Sequence, residues 1–209
     1  MAKWWDFFKL FTYAFGPQDP RSLRQHKTVS YTGCADLVPE IIYIDGSRRK
    51  IAVGSDHRGF IIKNHLVKLL EQLGHEVIDV GTDIALSCDY PDFAVMVARK
   101  VASGDVDRGV LICGSGIGMA MAANKVAGVR AGVCHNIQNA EFSRRHNNLN
   151  VLCFSAETYW EIGMRYIRGP NPRAVPGDAK PLLKIWLETE FEGGRHSLRL
   201  DKITKIEAN

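Results

Sequence analysis

The sequence has few cysteines, no long apolar run and little net charge. Its five cysteines are odd in number and form no Cys-x-x-Cys pair, so neither a zinc site nor a disulfide framework is predicted. No apolar run approaches the roughly 18 residues of a membrane span, and we expect no integral membrane segment. The net charge of +4 includes no dense basic cluster, which argues against nucleic acid as a partner. Free thiols are typical of a reducing compartment, and we expect a cytoplasmic protein.

Residues 1–49 differ in composition from the rest of the chain. The segment 1–16 is rich in aromatic residues with scattered charges, which is typical of a short amphipathic helix on the domain, a partner or a membrane surface. It lacks the apolar core and cleavage site of a secretory signal, whereas targeting to an organelle stays open. We predict an aromatic-rich, partly disordered extension over 1–49 and one domain over 50–209.

From Lys50 onward, strand patterns alternate with helix patterns. Five short apolar runs are each followed by a stretch with apolar residues at helical spacing, including the predicted helices 93–102, 118–126 and 157–168. This alternation predicts an α/β fold, with a five-stranded parallel sheet and helices on both of its faces. The proline-rich segment near 169–181 is predicted to be an inserted loop. Ligands of such folds bind beyond the carboxyl ends of the strands.

The central feature of the sequence is the segment 108–125, where an apolar run leads through a glycine-rich loop into helix-forming residues. Glycines allow close approach of the backbone, and free N–H groups at the start of a helix face a bound anion. Cys113 also lies at the positive end of this helix, which favours its thiolate form. The loop therefore offers a base or nucleophile beside a binding place for an oxyanion. The alternative is a glycine turn with a buried structural cysteine.

Five motifs occur in order along the chain: GSDHRGF, DYPDFA, GDVDRGVLICGSGIGMAMAANKVAGVRA, SRRHNNLNVL and FEGGRHSLRLDKI. Together they resemble the ribose-5-phosphate isomerase B family, which includes subunits of galactose-6-phosphate and allose-6-phosphate isomerases. The resemblance covers about residues 50–155 and 186–206. It implies a Rossmann-like fold and an intramolecular oxidoreductase that isomerises sugar phosphates without a metal or other cofactor.

The resemblance also implies roles for individual residues. Isomerisation of an aldose to a ketose moves a proton between C2 and C1 through a cis-enediolate, which requires ring opening, a base and stabilisation of an oxyanion. Cys113 matches the base of the family, and His146 matches the histidine that opens the furanose ring. The matched substrate contacts are the enediolate loop Gly114, Ser115, Gly116, Ile117 and Gly118, then Asn147, the pairs Asp56 with His57 and Asp89 with Tyr90, and the phosphate-binding Arg195 and Arg199.

One position departs from the family pattern, because Glu157 stands where an arginine is usual. A carboxylate repels a phosphate dianion. Glu157 therefore points away, is compensated by Arg165 or Arg168, or marks a substrate other than ribose 5-phosphate.

The resemblance implies the interconversion of ribose 5-phosphate and ribulose 5-phosphate, a step of the pentose phosphate pathway. The alternatives are another sugar phosphate of four to six carbons, and a non-catalytic binding protein on the same fold. The intact Cys113, His146 and Asn147 favour catalysis. The resemblance further implies a homodimer, alone or as a dimer of dimers, whose subunits share each active site. Cys113 would then come from one chain, and His146 with the terminal arginines from the other.

Overall fold

The computed structural model of the protein describes residues 48–157 and 179–207. The predicted extension 1–49 lies outside these ranges except for its last two residues. Most of the proline-rich segment 169–181 and all but the first residue of the predicted helix 157–168 also lie outside them. Within the described residues, no helix has both the length and the apolar character needed to cross a membrane.

Five parallel strands form a single sheet, as the alternating pattern predicts. The strands are β1 Lys50–Ser55, β2 Glu76–Asp79, β3 Arg108–Cys113, β4 Ala131–Val133 and β5 Val151–Ser155. Their order across the sheet is β2-β1-β3-β5-β4. The chain moves outward from β1 to β2 and then crosses to β3 on the other side of β1. Folds of this type bind ligands at such a switch point, beyond the carboxyl ends of the strands.

Six helices are described: α1 Phe60–Gln72, α2 Tyr90–Ala102, α3 Ile117–Ala123, α4 Ile137–Asn147, α5 Ala179–Glu188 and α6 Arg195–Glu207. Three of them differ from the prediction by more than one residue: α5, predicted over 181–190, is shifted by two residues at both ends, and α2 and α3 differ at one end. Helix α2 begins at Tyr90 rather than at residue 93, because Pro91 fits the first turn, where no N–H partner is needed. Helix α3 ends at Ala123 rather than at residue 126. The side chain of Asn124 exchanges two hydrogen bonds with the backbone of Ala131, of 2.7 and 2.8 Å, and turns the chain into β4.

The two faces of the sheet are covered by different helices, which confirms the layered α/β fold. Side chains alternate along each strand, so Val110 and Ile112 of β3 enter the core formed with α1, α4 and α5. Leu111 and Cys113 point to the other face and pack in the core formed with α2 and α3. Cys113 therefore ends its strand on the face where α3 begins.

Arg144 fixes the end of α4 from inside the protein. Its side chain is 1% exposed. Its guanidinium donates to the carbonyl oxygens of Thr189 at 3.2 Å and Leu149 at 2.6 Å, and to Asn148 Oδ1 at 2.9 Å. Burial lowers the pKa of Arg144 to about 9, so the group stays charged at neutral pH. These bonds hold the end of α4, and with it His146, against the segment that leads to α6.

Candidate active site

The loop after β3 wraps its own backbone around the sulfur of Cys113. Cys113 is 5% exposed, and the N–H of Gly116 donates to its Sγ at 3.2 Å. Gly116 has φ of 78°, and a methyl group on it would lie 3.0 Å from the carbonyl oxygen of Phe154, so only glycine fits without strain. The N–H of Ile117 is bonded to the hydroxyl of Ser115 at 3.3 Å.

Tyr90 covers the start of α3 from the neighbouring helix α2. A methyl group added to Gly118 would lie 2.8 Å from carbons of the Tyr90 ring, so the ring rests directly on this glycine. Asp89 precedes Tyr90 and is exposed at the start of α2. The structure thus brings the predicted contacts Asp89 and Tyr90 to the loop of Cys113.

The loop after β1 borders the Cys113 loop on its other side. Asp56 is buried, and its Oδ1 accepts the N–H groups of Arg58 and Gly59, each at 3.0 Å. This carboxylate therefore shapes the loop. Nδ1 of His57 accepts the N–H of Cys88 at 3.2 Å, so a neutral His57 carries its proton on Nε2 and can donate from there.

Glu157 forms an ion pair with Arg58 across the end of β3. Nη2 of Arg58 donates to Oε1 of Glu157, while the backbone N–H of Glu157 donates to the carbonyl oxygen of Gly114 at 3.0 Å. Of the three explanations offered for Glu157, compensation by Arg165 or Arg168 falls on residues outside the described ranges. The partner in the structure is Arg58, which the sequence analysis missed although it belongs to the quoted motif GSDHRGF.

His146 lies in a stack of three rings at the end of α4. Its ring centroid is 5.0 Å from that of Phe142 and 4.4 Å from that of His196, which belongs to α6. Oε2 of Glu192 is 3.8 Å from Nε2 of His146 and 3.6 Å from Nε2 of His196. Arg145 donates from Nε to Oε1 of Glu192 at 2.6 Å. Glu192 and His196 were not among the predicted site residues, although both belong to the quoted motif FEGGRHSLRLDKI.

The start of α6 brings the two predicted phosphate-binding arginines to the same place. Nε of Arg195 lies 3.4 Å from Nε2 of His196, and the exposed Arg199 follows one turn later. Burial lowers the pKa of His196, and the charges of His146, Arg195 and Arg199 lower it further, against the opposing effect of Glu192.

Asn147 borders a cavity of about 650 Å³ between α6 and the segment 124–131, together with Leu200 and Ile203. Asn147 is thus on the same side of the molecule as α6.

One group of described side chains has a composition that metals use. Ligand atoms of His146, Glu192 and His196 lie within 4.8 Å of one another. However, Arg145 is already bonded to the carboxylate, and Arg195 lies against His196. Two neighbouring arginines oppose the binding of a cation, so this cluster is better suited to an anion.

The predicted site residues form two groups at opposite edges of the sheet. Cys113 lies at the carboxyl edge, opposite Ser155, the last residue of β5. Helix α4 starts after the carboxyl end of β4 and runs antiparallel to the strands. His146, near its end, is therefore close to the amino end of β5, which begins at Val151. The length of β5 between these edges is about 13 Å at the usual rise of a strand. One chain therefore does not bring Cys113 and His146 together.

Comparison with known proteins identifies the family. Residues 51–203 match the sequence pattern described as ribose/galactose isomerase. The chain belongs to this family. It is 45% identical over 159 residues to ribose-5-phosphate isomerase B of Escherichia coli, an alignment that covers 76% of this chain and 97% of the relative. The family and the isomerase activity predicted from the five motifs are thereby confirmed, and the protein is a sugar-phosphate isomerase.

Two further relatives of this isomerase show the range of the family. One is the structure of ribose-5-phosphate isomerase B from Mycoplasma genitalium with bound ribulose-5-phosphate, which is 36% identical in sequence and has a TM-score of 0.66. The match covers 77% of this chain and 97% of the Mycoplasma chain. A D-erythrulose-4-phosphate isomerase of Pectobacterium atrosepticum is 37% identical over 154 residues, covering 73% of this chain and 91% of the relative. The fold is shared, whereas the sugar differs among these proteins.

Proposed function

We propose that this isomerase interconverts ribose 5-phosphate and ribulose 5-phosphate through a cis-enediolate. The observation that carries the proposal is the hydrogen bond from the N–H of Gly116 to Sγ of Cys113, which places this sulfur inside a glycine-rich loop. A thiolate is a competent base for a carbon acid, and backbone donors stabilise the negative oxygen that forms next to it. The ribulose-5-phosphate in the Mycoplasma genitalium relative supports this choice of sugar.

The proposed reaction takes three steps and needs no metal or other cofactor. His146 donates a proton to the ring oxygen of the furanose, the bond between C1 and this oxygen breaks, and the C1 hydroxyl loses its proton to solvent, which gives the open-chain aldehyde. Cys113 then takes the proton from C2, and the electrons of the C–H bond move towards the C1 oxygen and give the enediolate. Finally, Cys113 returns the proton to C1, the proton of the C2 hydroxyl passes to the C1 oxygen, and the C2 carbonyl of the ketose forms. The N–H groups of the loop Gly114–Gly118 other than those of Gly116 and Ile117, which are bonded to Cys113 and Ser115, hold the enediolate oxygens.

This chemistry requires two subunits, and we propose a homodimer, alone or as a dimer of dimers, with shared sites. Cys113 and His146 lie at opposite edges of their own sheet, so a partner has to bring the second group to the first. Exposed apolar side chains on the elements around both groups support such a contact, namely Ile117 at 58%, Met121 at 64% and Phe142 at 39% exposure. We place the enzyme in the cytoplasm, which agrees with the four free thiols among its described residues.

A second candidate substrate is a sugar phosphate with a different carbon number. Glu157 favours this candidate because it places a carboxylate at the edge where the sugar is expected to bind. The D-erythrulose-4-phosphate isomerase among the relatives shows that the family includes such substrates.

An assay of the purified full chain against sugar phosphates of four to six carbons tests the proposal, with a Cys113→Ala variant to detect contaminating isomerase. We expect the highest kcat/KM for ribose 5-phosphate, and no turnover above background in the variant. A higher kcat/KM for a four- or six-carbon sugar would establish the second candidate. Loss of all turnover in the wild type would establish the non-catalytic alternative.

A further inference from the structure

Arg58 reaches across the carboxyl end of the central strand β3. Its backbone belongs to the loop after β1, and its guanidinium is paired with Glu157, which follows β5 on the other side of β3. Between the two strands, the side chain rests on the Cys113 loop, since a methyl group on Gly114 would lie 3.0 Å from Arg58 Nε. A permanent positive charge is thereby fixed next to the residue that follows Cys113.

The pair between Arg58 and Glu157 is open to solvent. Their side chains are 57% and 55% exposed. Exposed ion pairs contribute little to stability because water already solvates both charges. By contrast, Lys63, a cation beside the end of β1, is 3% exposed and paired with Asp79. Among these two cations, Arg58 is the one that a dissolved anion can reach.

We propose that Arg58 binds the phosphate group of the substrate, and that Glu157 tunes this binding by partly neutralising the arginine. The inference rests on the proposed function and adds to it a specificity residue at the carboxyl edge. A guanidinium presents five N–H donors in a planar fork. The described contact of Arg58 with Glu157 is made through Nη2, so the proposed phosphate contact uses the donors on Nε and Nη1. The phosphate is the permanent negative charge of a sugar phosphate. Because Arg58 cancels the charge of Glu157, a carboxylate can stand at this edge without repelling the dianion.

This arrangement predicts opposite effects for the two partners. Arg58→Ala removes the cation and exposes the carboxylate, so we expect KM for ribose 5-phosphate to rise about tenfold or more, which corresponds to about 1.4 kcal/mol per factor of ten. Glu157→Gln leaves the arginine without its competing anion, so KM should fall several-fold. In the double variant, both charges are absent and KM should lie between those of the single variants. If Arg58 and Glu157 only held the loop in place, both single variants would change KM in the same direction.

The experiment measures kcat and KM for these three variants and for Arg58→Lys, which keeps the charge but not the fork. Arg99→Ala is the matched control, because it removes one exposed positive charge from α2 at a distance from the loop. The midpoint of thermal unfolding of each variant shows whether the fold is intact. KM changes of equal sign, or no change in KM for Arg58→Ala, would overturn the inference.

Calorimetric binding of inorganic phosphate separates this inference from the proposed function. A wild type that turns over no sugar phosphate contradicts the proposed function. Arg58 is then tested by phosphate alone, which should bind more weakly to Arg58→Ala and more tightly to Glu157→Gln than to the wild type. Equal affinity in all three proteins would overturn the role of Arg58, whichever sugar the enzyme uses.

Discussion

The sulfur of Cys113 accepts a hydrogen bond from the amide of Gly116 within a single turn, with 3.2 Å between the two atoms. This turn depends on a glycine in the left-handed region, with φ of 78°. The spacing of three residues between Cys113 and Gly116 therefore has a geometric consequence. It allows the chain to turn so that the N–H of Gly116 points at the sulfur of Cys113.

We expect Cys113→Ser to lower kcat by roughly 10²–10⁴-fold, the usual contribution of a general base, because a serine hydroxyl does not ionise near neutral pH and is then too weak a base to take a proton from carbon. The measurement is the exchange of the substrate C2 proton with deuterium from the solvent. The control is Cys88→Ser, which replaces another, half-buried thiol. The hydrogen bond from the backbone N–H of Cys88 to His57 is retained in this variant. Exchange at the wild-type rate in Cys113→Ser would show that another group is the base.

His146→Ala should harm a cyclic substrate more than one that is already open. Ring opening needs an acid at the ring oxygen, whereas proton transfer in an open chain does not. We would compare kcat/KM for ribose 5-phosphate with kcat/KM for an open-chain aldose phosphate of four carbons. His65→Ala, which changes an exposed histidine of α1, is the control. Equal losses on both substrates would contradict the role of His146 in ring opening.

Mixing two inactive variants tests the shared site. In a heterodimer of Cys113→Ser and His146→Ala subunits, one site combines both defects and the other has neither. Activity should therefore return towards half of the wild-type value after mild dissociation and reassociation. Each variant mixed with itself by the same procedure is the control. A purified heterodimer as inactive as its parents would show that each chain builds its site alone.

Stability should fall as the pH is lowered through about 6.5, the usual pKa of histidine. Burial lowers the pKa of His75, and the charge of Arg49 lowers it further. Burial also lowers the pKa of His196, as do the charges of His146, Arg195 and Arg199. The unfolded chain then binds more protons than the folded one, so acid favours unfolding.

Urea unfolding between pH 8 and 5.5 measures this effect. A double variant with His75→Asn and His196→Asn should show a shallower fall in the free energy of unfolding, whereas His65→Asn should keep the wild-type slope. An unchanged slope in the double variant would contradict the assignment.

Arg144→Leu should lower the free energy of unfolding by about 3 kcal/mol, because removing one partner from a buried polar network leaves the others unpaired. Its three acceptors, on Thr189, Asn148 and Leu149, would lose their donor. Arg99→Leu, at an exposed position on α2, should change stability by no more than about 0.5 kcal/mol. Denaturant unfolding of both variants gives the comparison, and equal losses would show that the buried bonds do not matter.

The sequence predicted the layers of the fold well because they depend on local periodicity. The five strands and the helices that follow the first four of them are found where the apolar pattern predicts them, and both faces of the sheet are covered. The early start of α2 and the early end of α3 depend on single side chains, Pro91 and Asn124, which periodicity does not detect.

The site was less accessible to sequence reasoning because its contacts are long-range. Arg58 and Glu157 are 99 residues apart, and only the order of β1, β3 and β5 in the sheet makes them neighbours. Glu192 and His196 likewise meet His146 only because α6 packs beside α4. The motifs contained four of these five residues, all except Glu157, but pairing them required the three-dimensional arrangement.

The backward course of α4 along the sheet has a consequence for how activity scales. In the proposed dimer, Cys113 of one chain meets His146 of the other, so a lone subunit would hold two incomplete half-sites and a pair would hold two complete sites. The activity per chain would then depend on the fraction of chains that are in dimers. It should disappear on dilution as subunits separate, and a sugar that spans both halves should delay that separation.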